Sequence, residues 1–278
     1  MLSKQIRRIN FQAYGVKISV GTNEGAARLV QIESCVAQSL PYGFDVIAEN
    51  EIGHFIETRH GENGHFQIIK DGERAASGAG DKDFFDKLNS QIRLTIGEYA
   101  VGKVFLHAGV VGWAGRAIVI PAKSFAGKTT LVAELLKRGA VYYSDEYAVL
   151  DGEGFVEPFA KPLSMRQEIG RDERAQIEVA AERFGGVTGD LPLPVKLILI
   201  CRFVKEAAGA NDKIALEILS RGNGILEMLA HAIPARRAPK FTLEVLNKVA
   251  SRAIIAKCQR GEAGEFAEFL IDFIERVP

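Results

Sequence analysis

The sequence has few cysteines, no net charge and no long hydrophobic run. Its three cysteines, Cys35, Cys201 and Cys258, are far apart and odd in number, which excludes a disulfide framework and a CxxC metal site. We therefore expect buried thiols in a reducing compartment. The 35 basic and 35 acidic side chains cancel, so the charge gives no reason to expect nucleic acid or an anionic membrane as a partner.

The sequence also shows no pattern typical of a targeting or membrane-spanning segment. The first residues, MLSKQIRRINFQ, carry charge without a following apolar stretch, so no signal peptide is expected. The apolar stretch LPVKLILICRF is interrupted by Lys196 and Arg202 and is too short to cross a bilayer. We predict a cytoplasmic protein. Its 278 residues have ordinary globular composition, with room for one large domain or two modest ones.

The first part of the chain has a strand-like, turn-rich pattern. FQAYGVKISV and FDVIAE each predict a strand, and HFIETRH with HFQIIKDG predicts a hairpin. The stretch SGAGDKD, residues 77–83, is the best candidate for a linker. We therefore predict a β-rich N-terminal region over 1–82 and a second domain over 83–278, which begins with a helix in DFFDKLNSQIRLTIGEYA.

The second domain has an α/β pattern with an antiparallel component. KVFLHAGVV and RAIVI predict two strands, and TTLVAELLKRG predicts the next helix, with Gly139 at its C-terminal cap. VYYSDEYAVLDGEGFVEPF predicts a strand, a turn and a returning strand. Further on, helices are predicted in ERAQIEVAAERFGG, GILEMLAHAI, TLEVLNKVA and EFAEFLIDFIERV, and strands in VKLILICRF, IALEILS and RAIIAKC.

Between the RAIVI strand and its helix lies PAKSFAGKTTL, which has the pattern of a phosphate-binding loop. Such a loop directs backbone N–H groups at phosphate oxygens, while a lysine reaches the terminal phosphates and a hydroxyl binds Mg²⁺. Lys128 and Thr129 match these roles, and Thr130 is a substitute or helper for the hydroxyl. We predict that a nucleotide triphosphate binds through Ala122, Lys123, Ser124, Phe125, Ala126, Gly127, Lys128, Thr129 and Thr130.

Ala122 departs from this pattern, which usually has glycine there. A backbone conformation reserved for glycine costs a residue with a Cβ on the order of 1 kcal/mol. The alternative is that GKTT only begins a helix well, but the order of strand, small-residue loop, GKT and amphipathic helix favours a working loop. Lys123 either adds positive charge near the phosphates or faces water.

Two carboxylates follow the loop helix, in SDEYAVL. P-loop enzymes place an acidic residue at the end of the neighbouring strand, where it binds Mg²⁺ directly or through water. A second carboxylate can accept the proton of an attacking hydroxyl. On a continuous strand Asp145 and Glu146 would point to opposite faces, unless the strand ends or bulges there. We predict a metal site of Thr129, Asp145 and Glu146, with two solvated carboxylates as the alternative.

His107 precedes the loop on one strand, and Asp145 follows it on another. The segment HAGVVGWAGRAIVIPAKSFAGKTTLVAELLKRGAVYYSDEYAV resembles the catalytic core of the bacterial HPr kinase/phosphorylase family. That family shares its fold with phosphoenolpyruvate carboxykinases. The resemblance covers roughly residues 103–155. It implies an α/β P-loop kinase core of HPr kinase/phosphoenolpyruvate carboxykinase type with a mixed sheet, after a small β-rich N-terminal region.

The resemblance also implies a role for each matching residue. Lys128 and Thr129 would bind ATP and Mg²⁺. Asp145 would be the general base toward a serine hydroxyl, or the acid in the reverse direction, with His107 orienting it. Glu146 would bind the metal or lie just behind it. The implied activity is ATP- and Mg²⁺-dependent phosphorylation of a hydroxyl, since the family phosphorylates a serine of the sugar-transport phosphocarrier HPr and also removes that phosphate.

Departures from the family leave several alternatives open. Ala122 replaces its first loop glycine, Thr130 replaces a common glutamate, and no Pro-Gly-Arg-Asn stretch is found downstream. The acceptor, a protein or a small molecule, is therefore not identified, and neither are the direction of reaction, the nucleotide and the oligomeric state, a homo-oligomer included. A non-catalytic nucleotide-binding switch or scaffold is the main alternative, and a carboxykinase-like enzyme is another. Arg166 in KPLSMRQ is a candidate phosphate clamp, with a surface position as its alternative.

Overall fold

The structure, a computed structural model, divides the chain into two compact units of mixed α/β type, Met1–Val101 and Gly102–Pro278. It describes residues 6–61, 64–122, 126–168, 174–204 and 215–277. These ranges contain six α-helices and three sheets. In the same ranges, no helix combines the length and the apolar character that crossing a bilayer requires. The division falls after Val101, later than the boundary expected after residue 82.

The first unit contains one six-stranded sheet and two helices. Its elements are β1 Arg7–Ala13, β2 Val16–Thr22, α1 Ala26–Ser39, β3 Asp45–Val46, β4 His54–His60, β5 His65–Lys70, β6 Glu73–Ala79 and α2 Asp81–Tyr99. The strands follow the order β3–β1–β2–β4–β5–β6. Neighbours are antiparallel except β2 and β4, which are parallel.

Parts of the first unit differ from the sequence expectations. FQAYGVKISV forms the hairpin of β1 and β2 instead of one strand, because Tyr14 and Gly15 both have positive φ, the conformation of a tight hairpin turn. Residues 77–83 are the end of β6 and the start of α2 instead of a linker. Helix α1 was not expected from the sequence. The hairpin of β4 and β5 and the helix α2 are confirmed.

The second unit is larger. Its elements are β7 Lys103–Trp113, β8 Arg116–Pro121, α3 Lys128–Leu136, β9 Val141–Ser144, β10 Tyr147–Asp151, β11 Phe155–Glu157, β12 Leu163–Glu168, β13 Arg174–Val179, β14 Val187–Thr188, β15 Leu193–Phe203, β16 Glu217–Ile218, α4 Arg221–Leu229, α5 Pro239–Ala250, β17 Ile254–Arg260 and α6 Ala263–Arg276. The main sheet has the order β14–β9–β7–β10–β11–β15–β17–β16, and β8 pairs with both β7 and β15.

The main sheet is mixed and is covered by helices on both faces. β15 is parallel to β8 and β17, whereas β7 is antiparallel to its neighbours β8, β9 and β10. One hydrophobic cluster joins the sheet to α3 and α6, and a second joins the opposite face to α4 and α5. Burial on both faces explains why β7, β8 and β15 are almost continuously apolar.

The stretch ERAQIEVAAERFGG was wrongly expected to be a helix. Its first half forms β13, which pairs antiparallel with β12 over six residues, and Ala181–Phe184 is a short 3-10 helix. Good helix formers such as alanine and glutamate are overridden here because backbone pairing with β12 supplies a partner that the local pattern cannot show.

Candidate active site

The junction between the loop and α3 depends on Gly127. This residue has φ 82 and ψ 18, the left-handed region, and directly precedes the first helical residue, Lys128. The left-handed conformation favours glycine, and a Cβ at Gly127 would lie 2.5 Å from Nη2 of Arg260 and so would displace that guanidinium. The predicted loop residues Lys123, Ser124 and Phe125 lie outside the described residues.

Ala122, the departure from the loop pattern, is buried and not strained. Non-glycine residues with positive φ in the described ranges are Tyr14, Asp71 and Ala114. The backbone N–H of Ala122 donates to the carbonyl of His107 at 3.3 Å, and its carbonyl accepts from Nζ of Lys128 at 2.7 Å. Alanine is therefore accommodated here without the conformational cost considered for the first loop position.

Lys128 and His107 form a partly buried pair. Lys128 is only 7% exposed, and its Nζ lies 3.2 Å from Nε2 of His107. Burial, opposed by the charges of Asp145 and Glu146, lowers the pKa of Lys128 to about 8. Burial, helped by the charge of Lys128, lowers the pKa of His107 to about 4. At neutral pH His107 is therefore uncharged and accepts a hydrogen bond from the Lys128 ammonium at Nε2.

Asp145 is 4% exposed and is surrounded by hydrogen-bond donors. The hydroxyl of Thr129 donates to its Oδ2 at 3.1 Å, and the backbone N–H of Ser164 donates to the same oxygen at 3.0 Å. The hydroxyl of Tyr142 lies 3.2 Å from Oδ1. Thr129, the residue after Lys128, is therefore the hydroxyl that contacts Asp145. Thr130 is exposed and does not contact it.

Asp145 and Glu146 lie in a turn, because β9 ends at Ser144 and β10 begins at Tyr147. The hydroxyl of Ser144 accepts from the backbone N–H groups of Glu146 and Tyr147, at 3.1 and 3.0 Å. The two carboxylates are thus not confined to opposite faces of a strand. Both approach Nζ of Lys161, at 3.5 Å from Asp145 Oδ1 and 3.4 Å from Glu146 Oε2.

Sequence reasoning missed two cations at this site, Lys161 and Arg260. Lys161 lies between β11 and β12 with a side chain 8% exposed. Arg260 ends β17, is 3% exposed, and donates from Nη2 to the carbonyl of Gly127 at 2.9 Å. Arg260 is 133 positions from Gly127, so no motif spacing could have indicated it. Lys161 opens the stretch KPLSMRQ, but no local pattern distinguishes it from Arg166.

The other predicted residues lie around this centre. Ala126 is half-buried beside Gly127. Arg166 lies on β12 opposite Gln176, two residues after Ser164, and is exposed, as expected of a surface arginine. The direct partner of the His107 ring is Lys128, while the charge of Asp145 acts on His107 only as a weaker electrostatic influence.

The oxygen atoms present would suit a magnesium ion. Within the described ranges, no group of three or more His, Cys, Asp or Glu side chains is arranged to hold a metal. Thr129 and Asp145 nevertheless place a hydroxyl and a carboxylate in contact. Mg²⁺ prefers such hard oxygen ligands and is usually bound by one or two carboxylates together with substrate phosphates and water. The residues therefore fit this ion.

No protein-family model matches the chain, and no curated protein matches it at a significant level. The resemblance to HPr kinase/phosphorylase therefore depends on the motif residues themselves. In the structure those residues meet at the start of α3, where Lys128 contacts His107 and Thr129 contacts Asp145. The fold is mixed α/β, and the start of α3 brings the buried Lys128 under the electrostatic influence of Asp145 and Glu146.

Proposed function

We propose that this protein is an ATP- and Mg²⁺-dependent phosphotransferase with a P-loop core of the HPr kinase type, acting on a hydroxyl of a protein or small molecule. The observation that carries the proposal is the contact between Thr129 and Asp145, next to the buried ammonium of Lys128. Lysine, hydroxyl and carboxylate are the groups that phosphoryl transfer requires around the phosphates.

In this proposal the loop binds the phosphates mainly by charge and backbone donors. Lys128 turns from the carbonyl of Ala122 to the terminal phosphates, while neutral His107 positions its ammonium. Arg260 holds Gly127 in place through its carbonyl. Mg²⁺, bound through Thr129 and Asp145, would neutralise charge that develops on the phosphates. Positioning and charge neutralisation supply most of the rate in reactions of this class.

Asp145 would accept the proton of the acceptor hydroxyl. In the structure its oxygens already face Thr129, Tyr142, Ser164 and Lys161. An incoming hydroxyl must therefore replace one of these donors. Lys161 makes the longest of these contacts, at 3.5 Å, and is the donor we expect to move.

The same surroundings of Asp145 favour the alternative function, a nucleotide-binding switch or scaffold without transfer. A carboxylate whose oxygens remain occupied by protein donors could hold the loop in shape and accept no proton. The two functions differ in turnover and not in nucleotide binding, so both must be measured.

The test is titration calorimetry with ATP and Mg²⁺, followed by transfer of labelled γ-phosphate to serine-containing proteins and small alcohols. We expect ATP binding in the wild type and in Asp145→Asn, and transfer by the wild type alone, with a loss of roughly 10²–10⁴-fold in the variant. ATP binding without transfer to any acceptor would favour the switch. Absence of ATP binding, or full activity of Asp145→Asn, would contradict the proposal.

A further inference from the structure

Lys161 contacts two consecutive carboxylates at once, unlike the surface lysines in the described part of the chain. Its side chain is 8% exposed, and its Nζ lies within 3.5 Å of both Asp145 and Glu146. The segment that carries Lys161 is held near Asp145 by two further hydrogen bonds. The Lys161 carbonyl lies 2.7 Å from the hydroxyl of Tyr142, and the N–H of Ser164 donates to Asp145.

The two carboxylate contacts of Lys161 are long for a charge-assisted hydrogen bond, which is usually about 2.7–2.9 Å, and its Nζ also donates to the carbonyl of Pro162 at 3.4 Å. By comparison, the lysine of the surface pair Lys257–Glu227 lies 2.7 Å from its carboxylate. The ammonium of Lys161 is thus shared between two carboxylates and closely bonded to neither. It neutralises charge where both side chains are largely removed from water, a position in which an unpaired carboxylate is costly.

A divalent cation would meet the same two carboxylates and the Thr129 hydroxyl. An ammonium and Mg²⁺ at the same two carboxylates repel each other, because like charges at short distance in a largely buried site are poorly screened. We propose that Lys161 is an exchangeable counter-ion, which holds Asp145 and Glu146 when no divalent cation is bound and leaves them when one binds. This inference rests on the proposed function for the identity of the metal.

The exchange has a consequence for the proposed reaction. When its ammonium leaves Asp145, the carboxylate loses a protein donor and becomes available to an acceptor hydroxyl as well as to the cation. Metal binding and the ability of Asp145 to accept a proton would then be coupled. Asp145 would meet the acceptor only after the cation has neutralised the two carboxylates. Lys161 is a positioning residue in this scheme.

The first test titrates the full chain with Mn²⁺ alone, without nucleotide, and measures free Mn²⁺ by electron paramagnetic resonance. We expect Lys161→Met to bind Mn²⁺ about tenfold more tightly or better, since one competing positive charge is removed. Lys161→Arg, which keeps the charge, should stay near the wild type, and so should the matched control Lys257→Met. Adding Asp145→Asn to Lys161→Met should remove the gain.

A second measurement uses the wild type, in case Lys161→Met does not fold. In protein with ¹³C-ε-labelled lysine, the Lys161 signal is assigned by its absence from Lys161→Arg. We expect Mg²⁺ to shift this signal and to leave that of Lys257 in place. Unchanged or weaker Mn²⁺ binding by folded Lys161→Met, no Mn²⁺ binding by either protein, or a Lys161 signal unmoved by Mg²⁺ would overturn the inference. Neither measurement involves nucleotide, so a failure of phosphotransfer would leave both results unchanged.

Discussion

The two units of this protein bury different kinds of polar group. In the described part of the first unit, the buried polar side chains are the hydroxyls of Ser19, Thr22, Ser39, Thr58 and Thr95. In the described part of the second unit they are those of Lys128, Ser144, Asp145, Lys196, Thr242 and Arg260. The first unit thus buries uncharged groups, whereas the second buries four that carry charge.

This difference is the reason that the proposed function is assigned to the second unit. A buried hydroxyl is satisfied by one nearby backbone oxygen, but a buried charge loses several kcal/mol of hydration unless it is well paired. Three of the four buried charges, Lys128, Asp145 and Arg260, meet at the start of α3. The fourth, Lys196, is bonded to the carbonyl of Val277 at 3.0 Å. Concentrated buried charge at one helix terminus is costly for folding, and it is the arrangement that a phosphate site needs.

Among the variants considered, replacing Lys128 should have the largest effect, and the effect should be on ATP binding. We expect Lys128→Ala to weaken ATP binding by about 100-fold, the value of a lost charge-assisted contact, without lowering the free energy of unfolding, because burial of this ammonium is unfavourable. Calorimetry and denaturant unfolding measure the two quantities. Lys137→Ala, which removes a half-exposed lysine just after α3, is the control. Unchanged ATP affinity in Lys128→Ala would remove the functional reason for the buried charge.

Two glycine variants distinguish the cost of backbone strain from the cost of disturbing Arg260. Gly127 and Gly139 both have positive φ, 82 and 93, so alanine at either site should cost about 1 kcal/mol. Only Gly127 faces Nη2 of Arg260. We therefore expect Gly127→Ala to cost about 1 kcal/mol more in unfolding free energy and to weaken ATP binding, whereas Gly139→Ala should leave it unchanged. Equal behaviour of the two variants would show that Arg260 does not fix the junction.

The pH dependence of stability should report the burial of His107. Its pKa falls from 6.5 to about 4 on folding, so between these values the unfolded chain binds the additional proton. Stability should therefore decrease by about 1–2 kcal/mol as the pH falls from 7 to 5, and should change little from this source above pH 7.

Unfolding monitored by the fluorescence of Trp113, the only tryptophan and part of β7, measures this effect in the second unit. His107→Gln should flatten the decrease, and the exposed-histidine control His65→Gln should not. An equally steep decrease in His107→Gln would assign the pH dependence to other groups.

The smallest effect is expected in the first unit. Thr58 is buried and donates from Oγ1 to the carbonyl of Gly21 at 3.0 Å. Thr58→Val should reduce local stability by about 1 kcal/mol and leave ATP affinity unchanged. Hydrogen exchange of β2 and β4 measures the first quantity and calorimetry the second. Weaker ATP binding in this variant would contradict the assignment of chemistry to the second unit alone.

Local patterns predicted the helix that begins at Lys128. Lys128 and Thr129 are consecutive at the start of a helix, so their position follows from the strand, loop and helix pattern around them. The apolar stripe of Leu131, Val132, Leu135 and Leu136 is buried as expected. The meeting of Asp145 with Thr129 was expected from the position of the two carboxylates after the loop helix, and the structure brings these two side chains within 3.1 Å.

Expectations failed where a distant partner or an unusual turn conformation decides the structure. β13 is a strand because β12 pairs with it, although its residues suit a helix. The turn at Tyr14–Gly15 splits an apparently continuous strand because both residues adopt positive φ, which tyrosine seldom does. Neither a helical period nor an alternating pattern contains this information.

The sequence by itself determined the strand β8 and the amphipathic helix α3 with Lys128 and Thr129 at its start, because backbone preference and apolar spacing act over a few residues. Only the tertiary structure decided that Lys161 is shared between Asp145 and Glu146 and that Arg260 contacts Gly127. Those contacts join residues far apart in the chain. They form because the packing of the whole second unit, and no local preference, determines which strand ends and turns meet.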